Sequence, residues 1–322
     1  MTWLIWQQQR RQVIVVGIGL VLAAVFLGIT GMFVADSYHT LVQHCSGQVH
    51  GCGNLSNAVL WGGSRLSDVV VAVGFLTPFV IGIFWGAPLV AREFEEGTHR
   101  LSWTQSVSRR RWLAVHMAWT IGAAIVLVAV MTLLISWWYS PINSAQHNRL
   151  GSAVFDSQGL VPIGYTVCAI ALGVAMGALL RRSVPAMGMT FLIMAVLRYV
   201  TSEYLRPHLL PAKTILVSLT GGGLGPLRDG WVLSQTIVNS ARQPVPLLNG
   251  TPAPSAIPGA CNVIQSGRQL GACLDAHGFH YLVAYQPANH FWALQGAETA
   301  MFLAIGIVFV VFTFWWVSRR DA

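Results

Sequence analysis

Six long apolar runs constrain this chain more than any other feature of its sequence. A helix needs about 20 predominantly apolar residues to cross the hydrocarbon core of a bilayer. The chain is 54% hydrophobic and only 9% charged, whereas a typical soluble domain is roughly 25% charged. The bilayer is therefore the expected solvent, and we predict an all-α membrane protein with six transmembrane helices. These spans are predicted near residues 13–35, 69–91, 113–138, 161–180, 184–200 and 299–317.

The distribution of arginine predicts how the spans are oriented, because cytoplasmic loops carry an excess of basic residues. With the N-terminus inside, the two short outer loops hold only Arg65 and Arg149, against eleven arginines on the inner side. The opposite orientation would reverse this bias, so we predict that the N- and C-termini are both cytoplasmic. The eleven are Arg10, Arg11, Arg92, Arg100, Arg109, Arg110, Arg111, Arg181, Arg182, Arg319 and Arg320.

This charge predicts the surroundings of the protein. Its net value of +8 is then mostly an inner collar that faces anionic membrane lipids, not a nucleic-acid surface. Arginine greatly outnumbers lysine, as is typical of GC-rich bacterial genomes. We therefore predict a multi-pass protein of the bacterial plasma membrane.

The outer segments predict the domain organisation. Residues 1–200 carry the first five spans, and residues 299–322 carry the sixth span and a cytoplasmic tail. Between them, residues 201–298 are long enough for a small extracellular domain. Within this domain Trp231–Val238 has the β-branched content of a strand.

Four cysteines fall in predicted outer segments, where the environment is oxidising. Cys45 and Cys52 lie in the first outer loop, and Cys261 and Cys273 lie in the last. Two spaced pairs favour two local disulfides, although pairing between the loops stays open. Cys168 lies alone inside a span.

Three histidines surround the first cysteine pair and offer ligands for a transition metal. They are His39, His44 and His50. We favour the alternative, a disulfide-closed loop with exposed histidines, and predict no metal site. A membrane-bound enzyme that uses these outer-face histidines stays an alternative, weakened because no catalytic set appears at a recognisable spacing.

The segment 92–112, here called the hairpin, is highly charged and joins two uncharged runs. It holds five of the 19 Lys and Arg residues and three of the 11 carboxylates. Its acids precede Thr98–Val107, where acids favour the start of a helix. The hairpin is interpreted as a docking surface for a cytosolic partner; the alternative is a solvated turn whose charges only set topology.

The sequence lacks the motifs of several enzyme classes. It contains no G-x-x-x-x-G-K-[ST] phosphate loop, no HExxH zinc motif and no G-x-S-x-G elbow. We therefore predict that this chain is not an enzyme and binds no cofactor of its own. If it does energised work, another polypeptide supplies the energy.

The hairpin motif resembles the cytoplasmic loop of ABC-2 type transporter permeases, the membrane subunits of one class of ABC exporter. The motif is Glu93-x-Glu95-x-Gly97-Thr98, followed by Leu101, Thr104-Gln105 and Ser108-Arg109. The six-span layout and the basic inner ends extend the resemblance over most of the chain. One departure is the long segment between spans 5 and 6, where such permeases often have small re-entrant helices.

The resemblance implies partners, a cargo class and coupling residues. It implies two copies of an ABC ATPase subunit that bind ATP and Mg, and a second permease copy, so that a homodimer is expected. It also implies export of an amphipathic small molecule, lipid or peptide. The implied ATPase-coupling residues are Glu93, Glu95, Glu96, Gly97, Thr98, Trp103, Thr104, Arg109 and Arg110.

Ionisable residues near the outer ends of spans 5 and 6 predict a translocation path. Arg198, Glu203 and Glu298 lie at this depth, where ionisable groups often line water-filled routes. Snorkelling to the interface is the alternative. The large 201–298 segment also keeps open a non-transporting mechanotransmitter or sensor driven by the same kind of ATPase.

Small residues predict where spans approach each other closely. Gly82-x-x-x-Gly86 and Gly173-x-x-x-Gly177 have the spacing that lets helix backbones touch in lipid.

Overall fold

The structure is a computed structural model that describes nine segments of the chain. For some terminal helical residues, including 2–17 and 52–64, it describes only the backbone. The described segments are residues 2–45, 52–95, 109–146, 149–220, 227, 230–248, 251–253, 257–261 and 267–319.

Six helical segments of the described chain are long and apolar enough to cross a membrane, which confirms the predicted all-α membrane fold. They are called spans 1 to 6 and comprise Ile18–Thr40, Arg65–Glu93, Arg110–Asn143, Val161–Leu180, Ser183–His208 and Ala288–Arg319. The predicted start of span 6 at 299 is too late. Polar residues such as Gln295 and Glu298 end the apolar run there, but both are fully buried and the helix continues through them.

The helices of the described chain are continuous over most of these spans. They are α1 (Thr2–Cys45), α2 (Cys52–Ile81), α3 (Pro88–Glu95), α4 (Arg109–Gln146), α5 (Ser152–Ser157), α6 (Val161–Leu180), α7 (Ser183–Val200), α8 (Gly267–Ala276) and α9 (Phe291–Arg319). A π-helical turn, Gly82–Gly86, separates α2 from α3, and a second, Thr201–Leu205, follows α7.

The chain divides into two compact units. The first, the transmembrane unit, comprises Met1–Gln146, Ser152–Ser202 and Gln295–Ala322. The second comprises His147–Gly151 and Glu203–Leu294. Within the transmembrane unit span 4 is the most enclosed, with 72% of its most apolar window buried against 11% for span 1. The bundle is therefore built around span 4.

The two glycine motifs pack against each other within this chain, on spans 2 and 4. A Cβ atom at Gly82 would lie 2.5 Å from the Cβ of Ala169, and one at Gly177 would lie 2.5 Å from the carbonyl oxygen of Ala87. The backbones of the π-helical turn and of α6 are thus in direct contact. This confirms the predicted close approach and shows that both motifs serve the same intramolecular interface.

The second unit is built on a small antiparallel sheet. Its strands are β1 (Lys213–Ser218), β2 (Trp231–Val238), β3 (Leu247–Leu248), β4 (Thr251–Pro252) and β5 (His280–Gln286). Strand β5 lies between β1 and β2, while β3 and β4 form a separate two-stranded pair. The predicted strand at Trp231–Val238 is confirmed. Helix α8 contributes Leu274 to an apolar cluster with Ile237, Val245, Cys261 and Phe279.

One carboxylate fixes the turn that follows β1. Asp275 accepts hydrogen bonds from the backbone N–H groups of Leu219 (2.8 Å) and Thr220 (3.2 Å) and from the hydroxyl of Ser218. Partial burial raises the pKa of Asp275, but these hydrogen bonds outweigh it and hold the pKa below its ordinary value of 3.8. The charged form is therefore the one that stabilises the turn.

The close contact between spans 2 and 4 predicts that a side chain added at this interface lowers the stability of the protein. In a Gly173→Ala variant the new Cβ would lie 2.7 Å from the backbone nitrogen of Ala87 and 2.7 Å from the carbonyl oxygen of Gly82. Because backbone atoms cannot move aside cheaply, we expect a loss of about 1–3 kcal/mol, measured as a lower thermal midpoint in detergent. Gly122→Ala is the matched control, since nothing lies within 4 Å of its Cβ position. Equal midpoints for the two variants would contradict the close packing.

The Asp275 turn predicts a pH dependence. A carboxylate whose folded pKa is lowered contributes stability above its unfolded pKa, and that contribution is lost as the pH falls through the lowered folded pKa. We expect the amides of Leu219 and Thr220 in the full chain to lose hydrogen-exchange protection below about pH 4, after correction for intrinsic rates. Asp275→Asn should remove this step and show low protection at neutral pH. A step of equal size in the variant would contradict the assignment.

Candidate functional site

A buried ion pair lies inside the transmembrane unit. Arg198, in α7, donates from Nη2 to Oδ2 of Asp156 at 3.1 Å, and both side chains are at most 4% exposed. Asp156 lies on the short helix α5, which immediately precedes span 4. Such a pair is retained only where the geometry compensates for the lost hydration of two charges.

Aromatic rings and a backbone carbonyl complete the environment of this guanidinium. Nη1 of Arg198 donates to the carbonyl oxygen of Phe75 in span 2 at 2.6 Å. The guanidinium carbon lies 3.8 Å from the ring centroid of Phe75, 4.4 Å from that of Tyr165 and 5.0 Å from that of Phe79. Cation–π attraction to these faces supplements the ion pair at this buried position.

The hydroxyl of Tyr165 connects the ion pair to span 6. It donates to Oε1 of Glu298 and lies 3.3 Å from Oδ1 of Asp156. Tyr165 and Glu298 are fully buried. The Arg198 cluster, defined as Phe75, Asp156, Tyr165, Arg198 and Glu298, therefore joins spans 2, 4, 5 and 6 with α5.

A second polar contact fixes the start of span 4 to span 6. Oε1 of Gln295 accepts from the backbone N–H groups of Leu160 (2.9 Å) and Val161 (2.8 Å), and its Nε2 donates to the carbonyl oxygen of Phe155 (3.0 Å). These N–H groups belong to the first turn of a helix, where no intrahelical acceptor exists. Gln295 therefore caps span 4 from another helix.

The structure brings together two of the three residues predicted for the translocation path. Arg198 and Glu298 both belong to the Arg198 cluster, whereas Glu203 is exposed and lies in the second unit. Because the cluster is closed and its described groups contact each other, it holds the spans together in this conformation. A path through it stays a prediction.

Sequence reasoning missed Asp156, Tyr165 and Gln295. Asp156 was the lone acid of the segment between spans 3 and 4, a signal that could have marked it as a partner for Arg198, the only arginine within the predicted span 184–200. Neither Tyr165 nor Gln295 carries a comparable signal, because tyrosine and glutamine are common near membrane interfaces.

At the far end of span 5 from Arg198, Glu95 holds the first turn of α7. Its Oε1 accepts from the backbone N–H of Ser183 at 2.8 Å, and its Oε2 accepts from the Ser183 hydroxyl at 2.6 Å. The N-cap residue Arg182 makes no side-chain capping bond of its own. We call this contact the Glu95–Ser183 clasp; it joins the end of α3 to the start of span 5.

The clasp favours the ionised form of Glu95. Hydrogen bonds donated by Ser183, first from its hydroxyl and then from its backbone N–H, hold the pKa of Glu95 below its usual value. Burial acts in the opposite direction, and the charges of Arg182 and Arg92 add smaller lowering effects. A carboxylate at a helix N-terminus also complements the helix dipole.

The other predicted coupling residues are only partly described. Glu93 is half-buried and Arg110 is exposed. Nε of Arg110 donates to the hydroxyl of Ser318 at 3.0 Å, which joins the start of span 3 to the end of span 6. For Arg109 the structure describes the backbone alone. Five residues of the predicted set lie outside the described residues: Glu96, Gly97, Thr98, Trp103 and Thr104.

The structure describes some, but not all, of the cysteine and histidine side chains singled out in the sequence. Cys261 and Cys273 are bonded to each other in the second unit, whereas the side chains of Cys45 and Cys52 lie outside the described part. His39 is exposed, and the side chains of His44 and His50 are not described. Cys168 is buried in span 4 with a free thiol.

Spans 1 to 3 surround an apolar pocket of about 490 Å³. Its one hydroxyl, on Thr77, donates to the carbonyl oxygen of Val73 in its own helix at 2.7 Å. The interior is therefore suited to hydrocarbon. The lining residues are Gly19, Leu20, Ala23, Val73, Leu76, Thr77, Val80, Ile81, Phe84, Trp85, Leu127 and Met131.

The span bundle defines a multi-pass α-helical membrane protein. The family described as ABC-2 membrane transporter related matches residues 17–206, more than half of the 322 residues. The chain belongs to this family, which indicates a transport subunit and not an enzyme. The match contains spans 1 to 4, nearly all of span 5, the hairpin and the Glu95–Ser183 clasp. No curated protein and no solved structure matches the chain.

The buried ion pair predicts a large, non-additive loss of stability. Arg198→Met leaves Asp156 without its cation in an apolar interior, so we expect a cost of about 3–5 kcal/mol. Adding Asp156→Asn removes that carboxylate, so the double variant should lose less than the sum of the two single variants. Thermal or denaturant unfolding in detergent measures the cycle.

The control for this cycle is the same substitution at an exposed arginine. Arg65→Met lies at an exposed position of span 2, where we expect a change within about 0.5 kcal/mol. Additive losses at Arg198 and Asp156 would contradict their energetic coupling.

Proposed function

We propose that this chain is the transmembrane permease subunit of an ABC exporter, driven by ATP hydrolysed in a separate subunit. The observation that carries the proposal is the family match over residues 17–206, because it includes the hairpin. Since the sequence contains no phosphate loop, ATP and Mg would be bound by the partner. The working unit would contain two ATPase subunits and two permease copies, with this chain as a homodimer.

The proposed orientation places both termini and the hairpin in the cytosol. Eleven arginines on that side against two in the short outer loops support it. The second unit, Glu203–Leu294 with His147–Gly151, would then lie outside the cell. The basic inner collar would contact anionic lipid headgroups.

The hairpin is the proposed docking surface for the ATPase. Among its described residues Arg92, Glu95, Arg110 and Arg111 are exposed. Charged groups are therefore presented at both ends of the hairpin, and the two signs occur together where the chain enters it. Charged groups arranged in this way give specificity and a fast encounter with a complementary partner.

The Glu95–Ser183 clasp supports a route for force from the hairpin to span 5. Glu95 lies at the end of α3, where the chain enters the hairpin, and both of its carboxylate oxygens bind Ser183. A displacement of the hairpin would therefore pull on the start of α7. Fifteen residues further along, roughly 22 Å at the rise of an α-helix, Arg198 holds the same helix to span 2 and α5.

The apolar pocket supports an amphipathic cargo. Its volume of about 490 Å³ lies in the range of small-molecule sites, roughly 300–1,000 Å³. Its lining offers almost no polar partner, so a hydrocarbon portion would occupy it and any polar portion would stay outside. A small molecule, a lipid and an apolar peptide segment all share this chemistry. Movement out of the cell is part of the proposal.

The test separates docking from force transfer. Tagged full-length chain is purified from its own host in a mild detergent, and bound phosphate-loop ATPase is measured by mass spectrometry and by ATP hydrolysis. Reversal of Glu93, Glu95 and Glu96 to Lys should abolish recovery of the ATPase. Asp68→Lys, an exposed reversal in span 2 away from the hairpin, should leave recovery unchanged. Unchanged recovery with the triple reversal would overturn the docking surface.

Ser183→Ala tests the clasp without changing the hairpin itself. This variant removes one of the two hydrogen bonds to Glu95, so the ATPase should still be recovered. Stimulation of ATP hydrolysis by amphipathic compounds, and their uptake into inside-out vesicles, should fall several-fold. Wild-type stimulation in Ser183→Ala would contradict force transfer through the clasp. ATP hydrolysis without any uptake by the wild-type protein would favour the mechanotransmitter instead.

A further inference from the structure

Three soft metal ligands converge in the second unit. One ligand atom from each of Cys261, Cys273 and His277 lies within 4.8 Å of the others. Nδ1 of His277 lies 3.7 Å from the sulfur of Cys261 and 4.0 Å from that of Cys273. Sequence reasoning assigned the two cysteines to a disulfide alone and did not consider this histidine.

Two short pieces of backbone position the three side chains. Cys273 and His277 are four residues apart, on α8 and the turn that ends it, so they project from the same face. The backbone N–H of His277 donates to the carbonyl oxygen of Cys273 at 3.2 Å, which continues the helical geometry to the histidine. Cys261 comes from a tight turn closed by its backbone N–H on the carbonyl oxygen of Pro258 at 2.8 Å.

The imidazole presents Nδ1 to the two sulfurs. Nδ1 of His277 lies 2.8 Å from the carbonyl oxygen of Cys273 and therefore carries the proton that it donates there. Coordination of an ion by Nδ1 replaces this contact and moves the proton to Nε2, so that the imidazole stays neutral. His277 is exposed, so the N–H group at Nε2 can then donate to solvent.

Charge and burial favour a divalent ion once the two sulfurs are reduced. Cys261 is fully buried in the apolar cluster with Leu274 and Phe279, where a free thiolate is disfavoured by desolvation. A divalent cation with two thiolates and one neutral imidazole has no net charge. His277 is exposed, so a water molecule can occupy the fourth position of a tetrahedral ion.

We infer that Cys261, Cys273 and His277 form a redox-gated site for a thiophilic divalent ion of the zinc class. In the oxidised chain the disulfide occupies both sulfur ligands, and the site is closed. Two molecules of a small thiol open it: the protein S–S bond breaks, an S–S bond forms between the two reductant sulfurs, and each cysteine sulfur receives one hydrogen. The ion then displaces both thiol protons and binds the two thiolates and Nδ1 of His277.

Attack by the reductant has a defined direction. Cys273 is half-buried, whereas Cys261 is fully buried, so an external thiolate reaches the sulfur of Cys273 first. The sulfur of Cys261 leaves as the thiolate and is protonated from solvent. The neighbouring imidazole of His277, 3.7 Å away, is then adjacent to both reduced sulfurs.

The test is a cobalt titration of the purified full-length chain in detergent. Cys45 and Cys52 are both replaced by Ser so that the first loop contributes no thiolate. After reduction and removal of the reductant under argon, Co²⁺ should produce a thiolate-to-cobalt charge-transfer band and tetrahedral d–d bands that saturate at one ion per chain. Zinc should displace the cobalt. The oxidised chain should show neither band.

Matched variants assign the ligands. His277→Ala should weaken cobalt binding at least about tenfold, because loss of even a group that supports a ligand costs about that much, and Cys261→Ser with Cys273→Ser should abolish the charge-transfer band. His280→Ala is the control, because this nearby histidine pairs with Asp275 at 3.4 Å and lies outside the set. Circular dichroism verifies that each variant is folded.

Three results would overturn the proposed site, and one would support it. A reduced chain that produces no charge-transfer band overturns the site. The site is also overturned if the band persists without Cys261 and Cys273, or if His277→Ala and His280→Ala bind cobalt equally well. Binding of one ion that is lost in the cysteine variant and weakened selectively by His277→Ala supports it.

Discussion

A guanidinium enclosed within a membrane bundle must find all of its partners in the protein, and the arrangement of the other spans follows from that requirement. Arg198 meets it at both terminal nitrogens, through the carboxylate of Asp156 and the carbonyl oxygen of Phe75, and over three aromatic faces, while its Nε has no hydrogen-bond partner among the described residues. These partners come from span 2, span 4 and α5, and Tyr165 extends the contact to Glu298 in span 6. One buried charge thus specifies which spans are neighbours, because lipid offers no alternative partner.

The glycine contact between spans 2 and 4 makes this arrangement geometrically possible. Where α6 meets the π-helical turn Gly82–Gly86, the backbones touch, so Tyr165 on span 4 and Phe75 on span 2 can both reach Arg198. In lipid, where apolar surface gains little from burial between helices, close packing and polar contacts hold helices together. The glycine interface supplies the packing, and the Arg198 cluster supplies the polar contacts.

Much of the fold could be predicted from the sequence, because hydropathy locates spans without tertiary information. The β-branched run Trp231–Val238 likewise predicted its strand. The site was recovered only in part. Arg198 and Glu298 stand out as charges in apolar runs, but Asp156 lies between spans, where an acid is ordinary, and its burial arises only from packing. The start of span 6 was predicted too late for a related reason. Gln295 and Glu298 are stabilised inside the bundle by contacts that the sequence does not reveal.

The contacts at Ser183 and at Arg198, near the two ends of α7, differ in how easily they open, and this asymmetry constrains the proposed transport cycle. At the Ser183 end, Glu95 is exposed, so water can replace its hydrogen bonds and the net cost of opening is small. At the Arg198 end, separating the partners would leave a buried charge uncompensated, at a cost of about 3–5 kcal/mol. Spans 2 and 5 should therefore move as a pair near Arg198, while the Ser183 end adjusts to the hairpin. A change that separated them at Arg198 would require a new partner for the guanidinium, and solvent or a polar cargo group entering the bundle has the chemistry to provide one.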